Sequence, residues 1–322
     1  MELFPIFVKA SQRPNQFKAG YISAKGEVVI SPTFNGVTAF AEGLASVQVD
    51  EKWGVINDEG SMILEPFSGN SVRFSEAKGV FGVDGKKGVV DIAGGIIVSP
   101  QYYIIDDYSE GLAWMADEGA WLDKPGSHGF LDENGGVRIP CFFDDARGFH
   151  EGLAAVKIGG KWGFIEPGGA FVIPATFDTA VRFSEGSARV KVGGSWGYVD
   201  RYGRFMISCC YSMALDFEEG LAPVREGERW GYINQSAKYE VNPTFDRAGK
   251  FSEGLARVEL NGRSGYVDRF GSLRIDCQFI HAGDFHHGLA FVETTDSMGY
   301  VNMRGDWVWT TPRVDIGSAL MR

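Results

Sequence analysis

The chain has 322 residues, 44 % hydrophobic and 23 % charged, with 31 basic against 42 acidic side chains and a formal net charge of −11. Such a charge repels phosphates, so nucleic acid and anionic membranes are excluded as expected partners while a basic protein is allowed. No stretch approaches the ~20 apolar residues of a membrane span, and Met1-Glu2-Leu3-Phe4-Pro5-Ile6 lacks a basic n-region and a long apolar core, so a cytoplasmic protein without a signal peptide is expected.

In chain order, the head reads as a degenerate first copy of a repeat. Pro5 to Lys9 stands for one strand, Gly20-Tyr21-Ile22 for a second, and Val28-Val29-Ile30 with Phe34 for a third. An aromatic residue then opens eight times a short phrase that reads, in its clearest copy, Phe-x-Glu-Gly-Leu-Ala-x-Val, at Phe40, Phe74, Tyr108, Phe149, Phe183, Phe217, Phe251 and Phe285. The spacings are 34, 34, 41, 34, 34, 34 and 34 residues. A fixed period of this size signals stacked supersecondary units. Fourteen residues after an opener stands a glycine (Gly54, Gly88, Gly163, Gly197, Gly231, Gly265, Gly299), displaced by seven to Gly129 in the long fourth copy. Trp53, Trp162, Trp196 and Trp230 precede it in four copies, and Lys87, His128, Ser264 and Met298 in the others.

Each copy reads as three short strands. In the fifth, Ala154, Val156 and Ile158 alternate with Leu153 and Ala155, and Gly159-Gly160-Lys161 supplies a hairpin turn. No window longer than ten residues carries a helical period. Glycine weakens a strand unless something approaches closely, so Trp-Gly suggests an indole lying over a neighbouring backbone, with Ala154 and Gly163 a thin spot where the next sheet packs. The recurring Glu42, Glu76, Glu110, Glu151, Glu185, Glu219 and Glu253 are too many for one catalytic acid. They read as carboxylates accepting backbone N–H bonds in the turn.

These motifs, clearest in Phe149-His150-Glu151-Gly152-Leu153-Ala154-Ala155-Val156 with Lys161-Trp162-Gly163-Phe164-Ile165, resemble the WG-repeat (KWG-repeat) family of bacterial tandem repeats over nearly the whole chain. The resemblance implies a binding or scaffolding module and transfers no active site. The expected fold class is all-β: tandem ~34-residue repeats of three to four short antiparallel strands in a β-propeller-like or arc-shaped array, with an open β-solenoid as the alternative. Residues 1–322 are expected to form one continuous array, with copies starting near 1, 40, 74, 108, 149, 183, 217, 251 and 285.

Chemical motifs are few. Gly193-Gly194-Ser195-Trp196-Gly197 matches a nucleophile elbow in letters but sits at a hairpin turn, where Lys161 fills the serine's slot one copy earlier. Cys277, His281, His286 and His287 match no zinc-finger spacing, and His286 and His287 read as surface residues. Cys141, Cys209 and Cys277 share one slot with Pro32, Pro66, Pro100, Ala175 and Pro243, so buried free thiols are expected, with no metal and no cofactor.

The fourth-copy insertion is the local feature that points to binding, because insertions in repeat arrays map to loops on one face. Trp121 is the expected apolar anchor, with Asp117, Glu118, Asp123, Lys124 and His128 around it as a partner-binding set. Beside it, the third copy has Ala77-Lys78-Gly79 in place of Gly-Leu-Ala. The expected function is a non-catalytic protein-binding scaffold. Its sharper form is a cytoplasmic inhibitor or immunity protein that neutralises a basic toxin domain. A carbohydrate- or cell-wall-binding array and an enzyme working in the array's cleft are the alternatives.

Overall fold

A computed structural model describes residues 2–9, 17–117 and 125–313. Among the described residues there is no helix, and the strands fall into nine antiparallel sheets, one per copy. They are numbered sheets 1 to 9 in chain order. Sheet 1 has three strands, Leu3–Lys9, Phe17–Ser23 and Val28–Phe34; sheets 2 to 9 have four each. Sheets 2 to 9 span 36–67, 73–102, 104–143, 145–177, 179–211, 213–245, 247–279 and 281–312. Every strand pairs with its neighbour in sequence, the up-and-down order of a propeller blade. The chain is thus an all-β tandem array of propeller-type blades.

The fourth strand precedes the phrase that defines the repeat. In sheet 5 it is Asp145–His150, which carries the opener Phe149. In other sheets it shrinks to Gly36–Val37, Ile104–Ile105, Met213–Ala214 or His281–Ala282. Two residues cannot display a period of two, so this strand leaves little trace in the sequence.

The Trp-Gly pair has a different cause from the one expected. In sheet 5 Trp162 faces Phe177 and Phe164 faces Ile173, so the strand Phe171–Phe177 carries extra residues opposite Gly163. A β-bulge results, and it bends the Ile173 carbonyl inward. A Cβ on Gly163 would lie 2.5 Å from that oxygen; the same holds for Gly231 against Val241 O and Gly197 against Ile207 O. The close approach is therefore inside one sheet rather than between sheets, and Val156, not Ala154, sits across from Gly163.

The core lies between successive sheets. Ala154, Val156 and Ile165 of sheet 5 are buried on Leu112, Phe130 and Phe143 of sheet 4. The opposite face meets the next copy, where Phe164 packs edge-on to the opener Phe183 with ring centroids 4.9 Å apart. Phe130–Phe149, Tyr198–Phe217, Tyr232–Phe251 and Tyr266–Phe285 repeat this contact at 4.7 to 5.1 Å. Aromatic pairs of this geometry add about 0.5–1.5 kcal/mol beyond their burial. Where the ring is tyrosine, its hydroxyl donates to the next copy's backbone: Tyr198 to Leu215 O, Tyr232 to Gly249 O and Tyr266 to Gly283 O, at 2.7 to 2.9 Å.

The chain divides into two compact units. One holds Thr33–Phe183; the other holds Phe4–Pro32 together with the chain from Ser184 on. In the second unit, sheet 1 packs beside sheet 9. Phe4, Ile6 and Ile22 share a core with Leu289 and Tyr300, and the Tyr300 hydroxyl donates to Pro5 O at 3.0 Å. The degenerate first copy is thus anchored by the last.

Candidate functional site

The recurring glutamates come first, because they tempt a catalytic reading. Each begins a two-residue hairpin turn in the left-handed region, Glu42 at φ 54° followed by Gly43 at 78°. That conformation is unfavourable for a side chain with a Cβ. The compensation lies in the next copy. Glu42 accepts from Glu76 N and Ala77 N at 2.6 and 2.7 Å, Glu76 from Glu110 N and Gly111 N, and Glu253 from His287 N and Gly288 N. The carboxylates do accept backbone N–H bonds, as expected, but from the next copy's turn, so they strap copy to copy. In the last copy His287 replaces the glutamate, and its Nε2 lies 3.3 Å from the Glu2 carboxylate.

Between successive sheets the same repeat positions outline a groove. Its walls are the residues four and five before an opener, the residue eight after it, and the tryptophan slot. In the first unit a groove of about 700 Å³ lies at sheets 3 and 4. Gly82 and Lys87 stand where other copies carry longer chains and tryptophan, and Tyr103 and Ile104 form the far wall. Lys86 Nζ sits 4.7 Å over the Tyr103 ring. Here the repeat is broken. The first strand of sheet 3 is only Arg73–Ser75, and residues 68–72 join it to sheet 2, where regular copies use one residue. The buried Ser46 hydroxyl fixes this link by donating to Val72 O at 2.9 Å and accepting from Val72 N at 2.8 Å.

The insertion starts from the far wall of the same groove. Tyr103 N donates to Ala116 O at 3.0 Å, and the next residue, Asp117, is exposed. Asp117 N donates to Ser127 O at 3.1 Å, which closes the base of the inserted loop. His128 is placed differently from the expected rim: it fills the tryptophan slot, 8 % exposed, 5.6 Å from the Trp114 ring and 3.2 Å from Ser127 Oγ through Nδ1. It belongs to the interior of sheet 4. Glu118, Trp121, Asp123 and Lys124 lie outside the described residues.

A second groove, of about 600 Å³, lies in the second unit between sheets 7 and 8. Arg225, Arg247 and Arg257 line it with Asp246, Glu259 and Trp230. His281 borders it, and burial, with the nearby Arg257 charge next in size, pushes its imidazole below the ordinary range, against the pull of Glu293. Sequence reasoning missed this non-repeating polar cluster. Its arginines occupy variable slots in two copies and converge only when the sheets stack.

The remaining motifs resolve simply. Ser195 begins a strand and pairs with Val192 across the Gly193-Gly194 turn, a hairpin rather than an elbow. Cys141, Cys209 and Cys277 are half-buried and Cys210 is exposed, so the thiols are less buried than expected. Their slot lies within the bulged stretch of the last strand, between Ile139 and Phe143, Ile207 and Tyr211, and Ile275 and Phe279. Burial pushes the Cys141 and Cys277 thiols up. Among the described residues no three metal-ligating side chains converge, and no helix is long and apolar enough to cross a membrane.

With this geometry the comparisons with known proteins agree. The WG containing repeat matches residues 20–53, 88–121, 129–162, 162–196, 196–230, 230–263 and 265–296. The chain belongs to this WG-repeat family. No curated protein matches it in sequence. Among solved structures it is similar to a eukaryotic initiation factor, at 10 % identity over 85 % of this chain and 96 % of that one, with a TM-score of 0.50. Two others are Kluyveromyces lactis Hsv2 (7 %, 75 % and 96 %, 0.45) and the dihydro-heme d1 dehydrogenase NirN (11 %, 97 % and 73 %, 0.46). At 10 % identity the likeness to the initiation factor is one of fold.

Proposed function

We propose that this chain is a non-catalytic binding module for a single protein partner, held at the junction of sheets 3 and 4. One observation carries the reading. Two breaks in the repeat stand at one groove: Gly69 and Asn70 of the remade link of copy 3 line it with Tyr103, and Tyr103 is bonded to Ala116, the residue before the insertion of copy 4 begins at Asp117. Regular copies serve stacking; a pair of irregular neighbours sharing a wall suits one asymmetric partner. The partner brings acceptors to Lys86 and Lys87 in the groove and cationic side chains to the exposed Asp117 at the start of the insertion. The acidity of the whole chain speeds encounter with such a basic protein. An inhibitor or immunity protein of the cytoplasm, neutralising a basic toxin domain, is the biological role of this form.

Gly82→Val tests it. A Cβ at 82 would meet only side-chain atoms, the flexible Lys87 chain with Nζ at 3.1 Å and the Asn70 amide at 3.6 Å, so the substitution fills the groove at little cost to the fold. The partner recovered by the parent chain from its host, once purified, should bind Gly82→Val about tenfold more weakly or worse, the scale of an interface hot spot. Equal affinity for both chains would remove the groove from the interface.

A further inference from the structure

We propose that the groove between sheets 7 and 8 is an anion site, taking a small organic molecule whose carboxylate or phosphate is held by Arg225 and Arg257 and whose carbon body rests on Trp230. It is separate from the protein-binding groove at sheets 3 and 4.

Arg225 Nε and Arg257 Nε are buried and have no hydrogen-bond partner among the described residues. A buried guanidinium N–H without an acceptor is costly, and native proteins seldom keep one without a reason. The acids of the groove are already engaged. Asp246 accepts from the Arg229 guanidinium and from Asn261 N at 2.7 Å, and Glu259 pairs with Arg247 at 3.6 Å. Arg257 keeps only an ion pair with Asp284 at 3.6 Å and no hydrogen bond at Nε, so the guanidinium donors left over in the lining are those of Arg225 and Arg257.

The repeat supplies an internal control. Arg189 occupies the same slot as Arg257, six residues after an opener, and its partner Asp216 occupies the slot of Asp284. Arg189 is satisfied: Nε donates to Asp216 Oδ1 and Nη1 to Ala214 O, both at 2.6 Å. Arg257 Nε stands 3.6 Å from Asp284 Oδ1, beyond a hydrogen bond. The same pair of slots thus makes a hydrogen bond in the earlier copy and only a longer ion pair at the groove. Arg225 is the cross-strand partner of Trp230, which places a guanidinium and an indole side by side in the lining. A guanidinium fork matches carboxylate or phosphate, and an indole face takes an apolar body. A groove of about 600 Å³ is of the size that holds a small organic ligand.

The test uses the full chain and three probes with one carbon body: phenyl phosphate, phenylacetate and benzyl alcohol. Titrations are followed by calorimetry at constant ionic strength. At least one of the two anions should bind saturably at one site per chain, while the uncharged alcohol should not; the tighter anion identifies the headgroup. Arg225→Gln and Arg257→Gln should each weaken binding by about tenfold or more, as expected for loss of a charge-assisted hydrogen bond. Arg189→Gln, in the satisfied copy, should bind as the parent does. Should either glutamine variant lose its β circular dichroism, Arg225→Lys and Arg257→Lys keep the charge, lack the Nε fork, and should show the same weakening. If neither anion binds saturably, or if variants that fold bind as tightly as the parent, water satisfies the two donors and the groove is no anion site.

Discussion

The grooves at sheets 3 and 4 and at sheets 7 and 8 are the same feature of the repeat with different contents. Lys87 stands in the slot of Trp230, Gly82 in that of Arg225, and Tyr103 and Ile104 in those of Asp246 and Arg247. Around both, the recurring positions are conventional: a glycine opposite a bulge and a carboxylate strapping the next turn. The difference teaches that recurring slots fix stability and variable slots fix chemistry. A repeat protein can therefore place unlike sites on one frame.

The sharpest way to break this comparison is to treat one slot in two places. Trp162→Ala, in the most deeply buried of the tryptophan positions at 4 % exposed, should cost about 3–5 kcal/mol by urea denaturation. Lys87→Ala, in the same slot of copy 3, should change stability by no more than about 0.5 kcal/mol. Similar losses at both would mean that the slot is structural everywhere and that Lys87 has no separate task.

The glycine slots give the next largest effect. Gly231→Ala forces a Cβ to within 2.5 Å of the Val241 carbonyl oxygen and should cost about 1–3 kcal/mol, as overpacking does. A shift of the urea midpoint reads it directly. Gly82→Ala meets only the Lys87 and Asn70 side chains and should leave the midpoint close to that of the parent.

Much of the scaffold was legible because eight openers in register reveal the unit whether or not any one copy is clear. The hidden features share physical causes. Strands as short as Met213–Ala214 show no alternation. The reason for Trp-Gly lay in a bulge, which depends on pairing register rather than on composition. Sheet 1 docks on sheet 9 across nearly the whole length of the chain, and no local pattern reports a contact between Pro5 and Tyr300. The site was less legible still. The insertion was visible as a break in period, yet His128, expected in the partner-binding set, is buried inside sheet 4. Arg225 and Arg257 carry no motif, because their meeting is a consequence of stacking.

A smaller effect than that of the glycine slots concerns the strap. Glu219 is exposed and accepts from Gly254 N at 3.0 Å, so Glu219→Ala should cost less than about 1 kcal/mol, the usual range for exposed charged contacts. Amide exchange should nevertheless quicken at Gly254 while the Gly288 amide, held by Glu253, keeps the parent rate. Unchanged exchange at both would show that the carboxylate strap is not a working link between copies.

The central claim, that binding belongs to the irregular copies, is tested most directly by one photo-cross-linking comparison. A photoreactive residue is placed at Tyr103 in one chain and at Ile280, the same slot of the last copy, in another, and each is irradiated with the purified partner. The account predicts a strong covalent adduct from position 103 and little from position 280. Equal adducts from both positions, or an adduct from 280 alone, would contradict it and return the interface to the repeated surface of the array.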